Sequence, residues 1–112
     1  LSKFDNAQSI VIIDGYIHAI EAAEGTDQML KRVIEIRKRN KTINENKGVL
    51  IKMAKKNQSR LVDLPVLGPN TIQIASKANL ASIALDPLST LILNKKIFLK
   101  KAKKESINLF LA

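Results

Sequence analysis

The dipeptide Asp14-Gly15 constrains this chain more than any other feature. It stands between Ile10–Ile13, a β-branched run, and Tyr16–Ile20, where Tyr16, His18 and Ile20 alternate with Ile17 and Ala19. Both central residues of a type I′ turn need positive φ, which Asp-Gly tolerates. β-Branched residues suit the pleated strands on either side. The chain therefore opens with a predicted β-hairpin.

After Gly25 the apolar period changes. Leu30, Val33, Ile34 and Arg37 fall on one helical face, with Met29 and Ile36 beside it. Thr26 is placed to cap this helix, and Asp27 in its first turn favours the positive end of the helix dipole. The helix is expected to fade by Asn40, and the polar run Asn40–Gly48 reads as a loop. The run "GVLIKMA" is short and apolar, as a buried strand is. The stretch from Lys55 to Pro69 lacks a period and holds two prolines and a glycine, which predicts a shaped loop. Gly68-Pro69 opens a short helix, since proline is tolerated in a first turn. "SIALD" and "TLILN" are further strand candidates, Lys95–Ser106 a basic helix and "NLFLA" a closing strand. Strands alternating with helices after a hairpin predict an α/β layered domain with a mixed β-sheet and about three packed helices.

Composition bounds the function. The chain has 112 residues, 46% of them apolar, which suits one domain with a real core. It has no run long enough to span a bilayer and no cysteine for disulfides or thiolate sites. It starts at Leu1 rather than Met, as a fragment or processed piece would. A net charge of +9 attracts polyanions such as nucleic acid, an anionic membrane face or a phosphorylated substrate. The bland alternative is a solvated lysine surface. Phe4, Tyr16, Phe98 and Phe110 do not interleave with the basic residues, which argues against a stacking platform for single-stranded nucleic acid.

Two clusters offer chemistry. In Glu24-Gly25-Thr26-Asp27, glycine lets the backbone turn and the amides of a helix start can meet an anion. Glu21, Glu24 and Asp27 supply hard oxygens suited to a divalent cation. The same residues also fit an ordinary capped helix with solvated acids. The second cluster holds Asp63, between Val62 and Leu64 and close to Pro65. It fits a metal ligand or a base, and equally a turn aspartate in a salt bridge. His18, the lone histidine, reads as a half-buried imidazole. There is no Ser–His–Asp set, no His/Cys metal spacing and no glycine-rich phosphate loop.

The motifs Q-S-I-V-I-x-D-G, A-I-E-A-x-E-G-T-D-x-M-L-x-R, K-G-V-L-I-K, K-x-x-Q-x-R-x-V-D-L-P-x-x-G-P-x-T and a closing L-F-L follow one another from about Asp5 to Leu111. Together they resemble the C-terminal domain of the LpxI-type UDP-2,3-diacylglucosamine pyrophosphatases. E-G-T-D and D-L-P-x-x-G-P are the specific pieces.

The resemblance implies a hydrolase of lipid A biosynthesis in Gram-negative bacteria, cytoplasmic and peripheral at the inner membrane. It implies magnesium- or manganese-dependent cleavage of UDP-2,3-diacylglucosamine to UMP and 2,3-diacylglucosamine 1-phosphate, with water attacking the phosphorus on the uridine side. Residues 1–112 would then be the C-terminal catalytic domain, with an N-terminal UDP-binding domain outside this chain as its partner. Nucleic acid is not an expected partner; a homo-oligomer is compatible with the pattern. By position in the motifs, Asp63, Asp27 and Glu24 would hold the metal and carry catalysis. Gly25, Thr26, Lys52, Gln58 and Arg60 would meet the substrate.

This chain departs from the family pattern at Ala7, Lys56, Ser59 and Leu61. Three glycines of a later A-G-L-x-G-I-x-x-E-A-G motif are Asn79, Ser82 and Leu88. These losses raise a rival, a degenerate domain that binds ligand without turnover. The other rival is a basic nucleic-acid-binding module that does not need its acids.

Overall fold

The computed structural model describes residues 9–22, 24–52, 66–85 and 91–111. In chain order the elements are β1 (Ser9–Ile13), β2 (Tyr16–Ile20), α1 (Thr26–Arg39), β3 (Gly48–Lys52) and β4 (Val66–Leu67). They continue as α2 (Pro69–Lys77), β5 (Leu80–Leu85), β6 (Leu91–Ile92), α3 (Lys95–Lys104) and β7 (Asn108–Leu111). This is the α/β layered arrangement expected from the sequence. Among the described residues no helix is long and apolar enough to cross a membrane.

The main sheet is mixed, in the order β2-β1-β3-β5-β7. β1 pairs antiparallel with both β2 and β3, while β3, β5 and β7 run parallel. The parallel pairs are joined through α2 and α3, because parallel neighbours need a crossover. A second sheet consists of the two-residue strands β4 and β6. The loop expected over Lys55–Pro69 thus contains a short strand, and "TLILN" shrinks to Leu91–Ile92.

The hairpin forms as expected, with Asp14 at φ 54° and Gly15 at φ 81°. Its return strand does not alternate strictly. Val11 pairs with Ala19 and Ile12 with Ile17, so His18 is an extra residue in a β-bulge. The bulge puts Ile17 and Ile20 on the same face, since they oppose Ile12 and Ile10.

Alternation along β1 and β3 separates two faces. Val11, Ile13, Leu50, Ile83 and Leu85 face the helices and are buried. Met29, Leu30 and Val33 of α1, Ile72 and Ala75 of α2, and Phe98 and Ala102 of α3 complete one core. α1 packs against α2 and α2 against α3. On the other face Ile10, Ile12, Val49 and Ile51 are half-buried, while Ile17 (62% exposed) and Phe110 (57%) meet solvent.

Arg37 lies on the apolar face of α1, and the structure shows why a cation is tolerated there. It is fully buried, and its guanidinium donates to the carbonyls of Thr42 (2.8 Å), Asn46 (2.7 Å) and Ala78 (3.0 Å). Burial pulls its pKa below the usual arginine value. One side chain thereby ties the end of α1 to the following loop and to the end of α2.

All three described helices end on a left-handed residue that is not glycine: Lys41 (φ 59°), Asn79 (φ 61°) and Ser106 (φ 58°). After α1, the Thr42 amide donates to Arg37 and the Lys41 amide to Lys38; after α3, Ile107 donates to Ala102 and Ser106 to Lys103. These are Schellman caps, in which glycine is usual.

Lys41→Gly and Ser106→Gly relieve left-handed strain and should each raise stability by about 0.5–1 kcal/mol in urea unfolding. At Gly48 an added Cβ would come within 2.6 Å of Ile13 and 3.0 Å of the Ile12 carbonyl. Gly48→Ala should therefore cost about 1–3 kcal/mol by the same measurement.

Candidate functional site

One end of the sheet carries polar side chains where its core face should be apolar. Ser9 opposes Lys52 across β1 and β3. The Glu21 amide donates to the Ser9 carbonyl at 2.9 Å, carrying the β2–β1 ladder one residue further. Glu21, Ser9 and Lys52 thus form a row across three neighbouring strands, β2, β1 and β3. By alternation they share the face of Ala19, Val11 and Leu50. All three are buried, Lys52 to 4% and Glu21 to 6% exposure.

α1 begins directly over this row. Gly25 precedes the helix with φ 91° and ψ 163°, a conformation that favours glycine. Its carbonyl accepts the Met29 amide at 3.0 Å, but no side chain caps the helix. Thr26 is the first helical residue, and its hydroxyl turns inward rather than capping. It donates to Glu21 Oε1 (2.7 Å) and accepts from Lys52 Nζ (2.5 Å). Ser9 Oγ also donates to Glu21 Oε1, and Lys52 Nζ lies 3.5 Å from that oxygen. Glu21 therefore spends one oxygen on this network.

Asp27 points elsewhere. Its Oδ1 accepts the Thr71 hydroxyl at 2.7 Å and its Oδ2 the Asn70 amide at 3.4 Å. Thr71 and Asn70 lie in the first turn of α2, so Asp27 joins the positive ends of two helices, where a carboxylate is favoured. Glu24 sits outside, 2.7 Å from Arg32, whose guanidinium also donates to the Ile20 carbonyl at 3.1 Å. The hydrogen bond from Arg32 holds the Glu24 carboxyl below its ordinary pKa.

The fold thus gathers Gly25, Thr26, Asp27 and Lys52, expected at the site, and leaves Glu24 at its rim. Gln58, Arg60 and Asp63 lie outside the described residues; the chain enters their segment from Lys52. Among the described residues no three acids or histidines group to hold a metal. Asp27 keeps free lone pairs beyond its two hydrogen bonds and suits a hard cation, as one oxygen of a set completed from elsewhere. Ser9, Asn70 and Thr71 were not anticipated. Ser9 was findable, as a polar residue in phase with Val11 and Ile13. The Thr71–Asp27 bond spans 44 positions and has no local signature.

A buried ion pair under one helix start, with a second helix start beside it, defines an α/β domain that holds polar groups at one sheet end. Residues 1–110 match the family model of the LpxI C-terminal domain. The chain is also 35% identical over 103 residues to the UDP-2,3-diacylglucosamine pyrophosphatase LpxI of Caulobacter vibrioides. That match covers 91% of this chain and 37% of the relative, so the chain spans little more than a third of that protein. The chain belongs to the LpxI C-terminal domain family.

Because Arg32 lowers the Glu24 pKa, their pairing is present at neutral pH and is lost as pH falls through the depressed folded value. Arg32→Ala should return Glu24 toward its ordinary titration range, read by NMR of the side-chain carboxyl. The pair is solvent-screened, so stability should change by less than about 0.5 kcal/mol.

Proposed function

We propose that this domain carries the hydrolytic site of a UDP-2,3-diacylglucosamine pyrophosphatase of lipid A biosynthesis. The products would be UMP and 2,3-diacylglucosamine 1-phosphate. The observation that supports this most is family membership over residues 1–110, joined to an acid–helix arrangement suited to phosphate chemistry. Hydrolysis of a pyrophosphate builds charge on phosphoryl oxygens, and catalysis stabilises it with fixed donors and cations.

In this reading Asp27, held rigid by Thr71, and Asp63 are the principal ligands of a magnesium or manganese ion. Glu24 assists from the rim, where its exposed pair with Arg32 is weak enough to exchange. When bound, the cation would neutralise phosphate charge and acidify water for attack on the uridine-side phosphorus. The first-turn amides after Gly25, with Gln58 and Arg60, would grip the phosphate oxygens, as helix starts and guanidinium groups do. An N-terminal UDP-binding domain would hold the nucleotide. The location would be cytoplasmic, at the inner membrane surface where a diacylated substrate resides, with the lysines of α3 facing anionic lipid.

The test is release of UMP from UDP-2,3-diacylglucosamine by the full-length protein. Activity should vanish on chelation and return with magnesium or manganese. Asp63→Ala and Asp27→Asn should each lower kcat at least about a hundredfold. Full activity in either variant removes that residue from the site.

A further inference from the structure

Ser9, Glu21, Thr26 and Lys52 form a buried polar network where the fold favours apolar side chains. Burying a carboxylate and an ammonium generally costs as much as their attraction returns, and apolar replacements of similar volume are often as stable. Stability alone therefore gives no reason for the pair, whereas geometry does.

The Thr26 hydroxyl is fixed in both of its roles, donating to Glu21 at 2.7 Å and accepting from Lys52 at 2.5 Å. Neither role can be exchanged without breaking the network, so the side chain has one orientation. Thr26 is the first residue of α1 and the next residue is Asp27. Asp27 is fixed from the other side by Thr71 and Asn70. The first turn of α1 is thus clamped between the strand ends below and α2 beside it.

We propose that Lys52 and Glu21 are positioning residues that act through Thr26, setting the rotation of the first turn of α1 and with it the place of Asp27. Lys52 then supports the site from beneath instead of meeting phosphate. A displacement of reacting groups by about 1 Å can slow a reaction by about a hundredfold, so a rigid clamp has kinetic consequences. The kinetic side of this inference rests on the hydrolase reading.

The experiment uses the full-length protein. Lys52→Met alone strands the Glu21 carboxylate and can prevent folding, so the informative variants are Thr26→Ser, Thr26→Val and the paired Glu21→Leu/Lys52→Met. Thr26→Ser keeps the hydroxyl and, as the conservative variant, should recover most of the kcat that Thr26→Val loses. Thr26→Val and the paired variant should lower kcat by about 10- to 100-fold with KM within about twofold. Hydrogen exchange of a peptide covering residues 25–30 should quicken at least about tenfold in the same two variants while the other helices stay protected. Unchanged kcat and KM in a folded paired variant would overturn the proposal, as would a raised KM with unchanged kcat. If the wild-type protein releases no UMP, the hydrolase reading fails by itself. The exchange measurement still decides the clamp, because unaltered protection of residues 25–30 refutes it.

Discussion

The contact between Lys52 and Thr26, with Glu21 beneath, governs how the end of the sheet is organised. An ammonium near a helix start opposes the positive end of that helix's dipole. Glu21 offsets it, and Ser9 and Thr26 donate to the same carboxylate oxygen. Charge is thus balanced locally, and every partner occupies one place. The row Glu21–Ser9–Lys52 exists because strand pairing sets it: β1 opposes β3 with Ser9 on Lys52, and the β2 ladder reaches Glu21. A slip of one residue in either register would turn these polar groups to the outer face and bring isoleucines beneath the helix.

α1 is held at both ends by a buried cation, in two different ways. At its last turn the Arg37 guanidinium lies where the helix dipole favours positive charge, and its hydrogen bonds among the described residues go to carbonyls. At its first turn the dipole is unfavourable to Lys52, so a carboxylate is required. The helix joins the loop at Thr42 to the strand ends, and its place against β2 follows from both anchors.

Much of this was legible in the sequence, and the rest fails for identifiable reasons. Asp14-Gly15, the 3.6-residue period after Gly25 and Pro69 at a helix start are local signals, and each element formed where they stand. The bulge at His18 was not legible, because alternation and bulge differ by one residue and both keep Ala19 inward. Arg37 fitted the apolar face by period, but its carbonyl partners lie in two segments, the loop after α1 and the end of α2. Thr26 looked like a cap because its residue type is right for one, but it stands one residue inside the helix, after Gly25. Its hydroxyl turns inward because a buried ammonium and carboxylate offer charge-assisted hydrogen bonds, which are stronger than a capping bond to a neutral amide. E-G-T-D and D-L-P-x-x-G-P stand far apart in the chain, and their order does not reveal that Asp27 and Thr71 touch.

Two of the positions that read as lost glycines, Asn79 and Ser82, fall on described backbone. At Asn79 the backbone is left-handed, at φ 61°, directly after α2. Glycine fits that conformation most easily, but asparagine is the side chain that tolerates it best. Here the Asn79 amide group also donates to the Glu45 carbonyl at 2.9 Å, tying the end of α2 to the loop after α1. Ser82 lies within β5, opposite Val49, with no positive φ. A glycine there would serve no turn, and the serine side chain is accommodated in the buried strand. Both replacements sit on backbone that needs no glycine, and both lie away from the Asp27–Thr71 bond. At Asn79 and Ser82 the departures that prompted a degenerate reading therefore leave the helix starts at the strand ends undisturbed, while Leu88 lies outside the described residues.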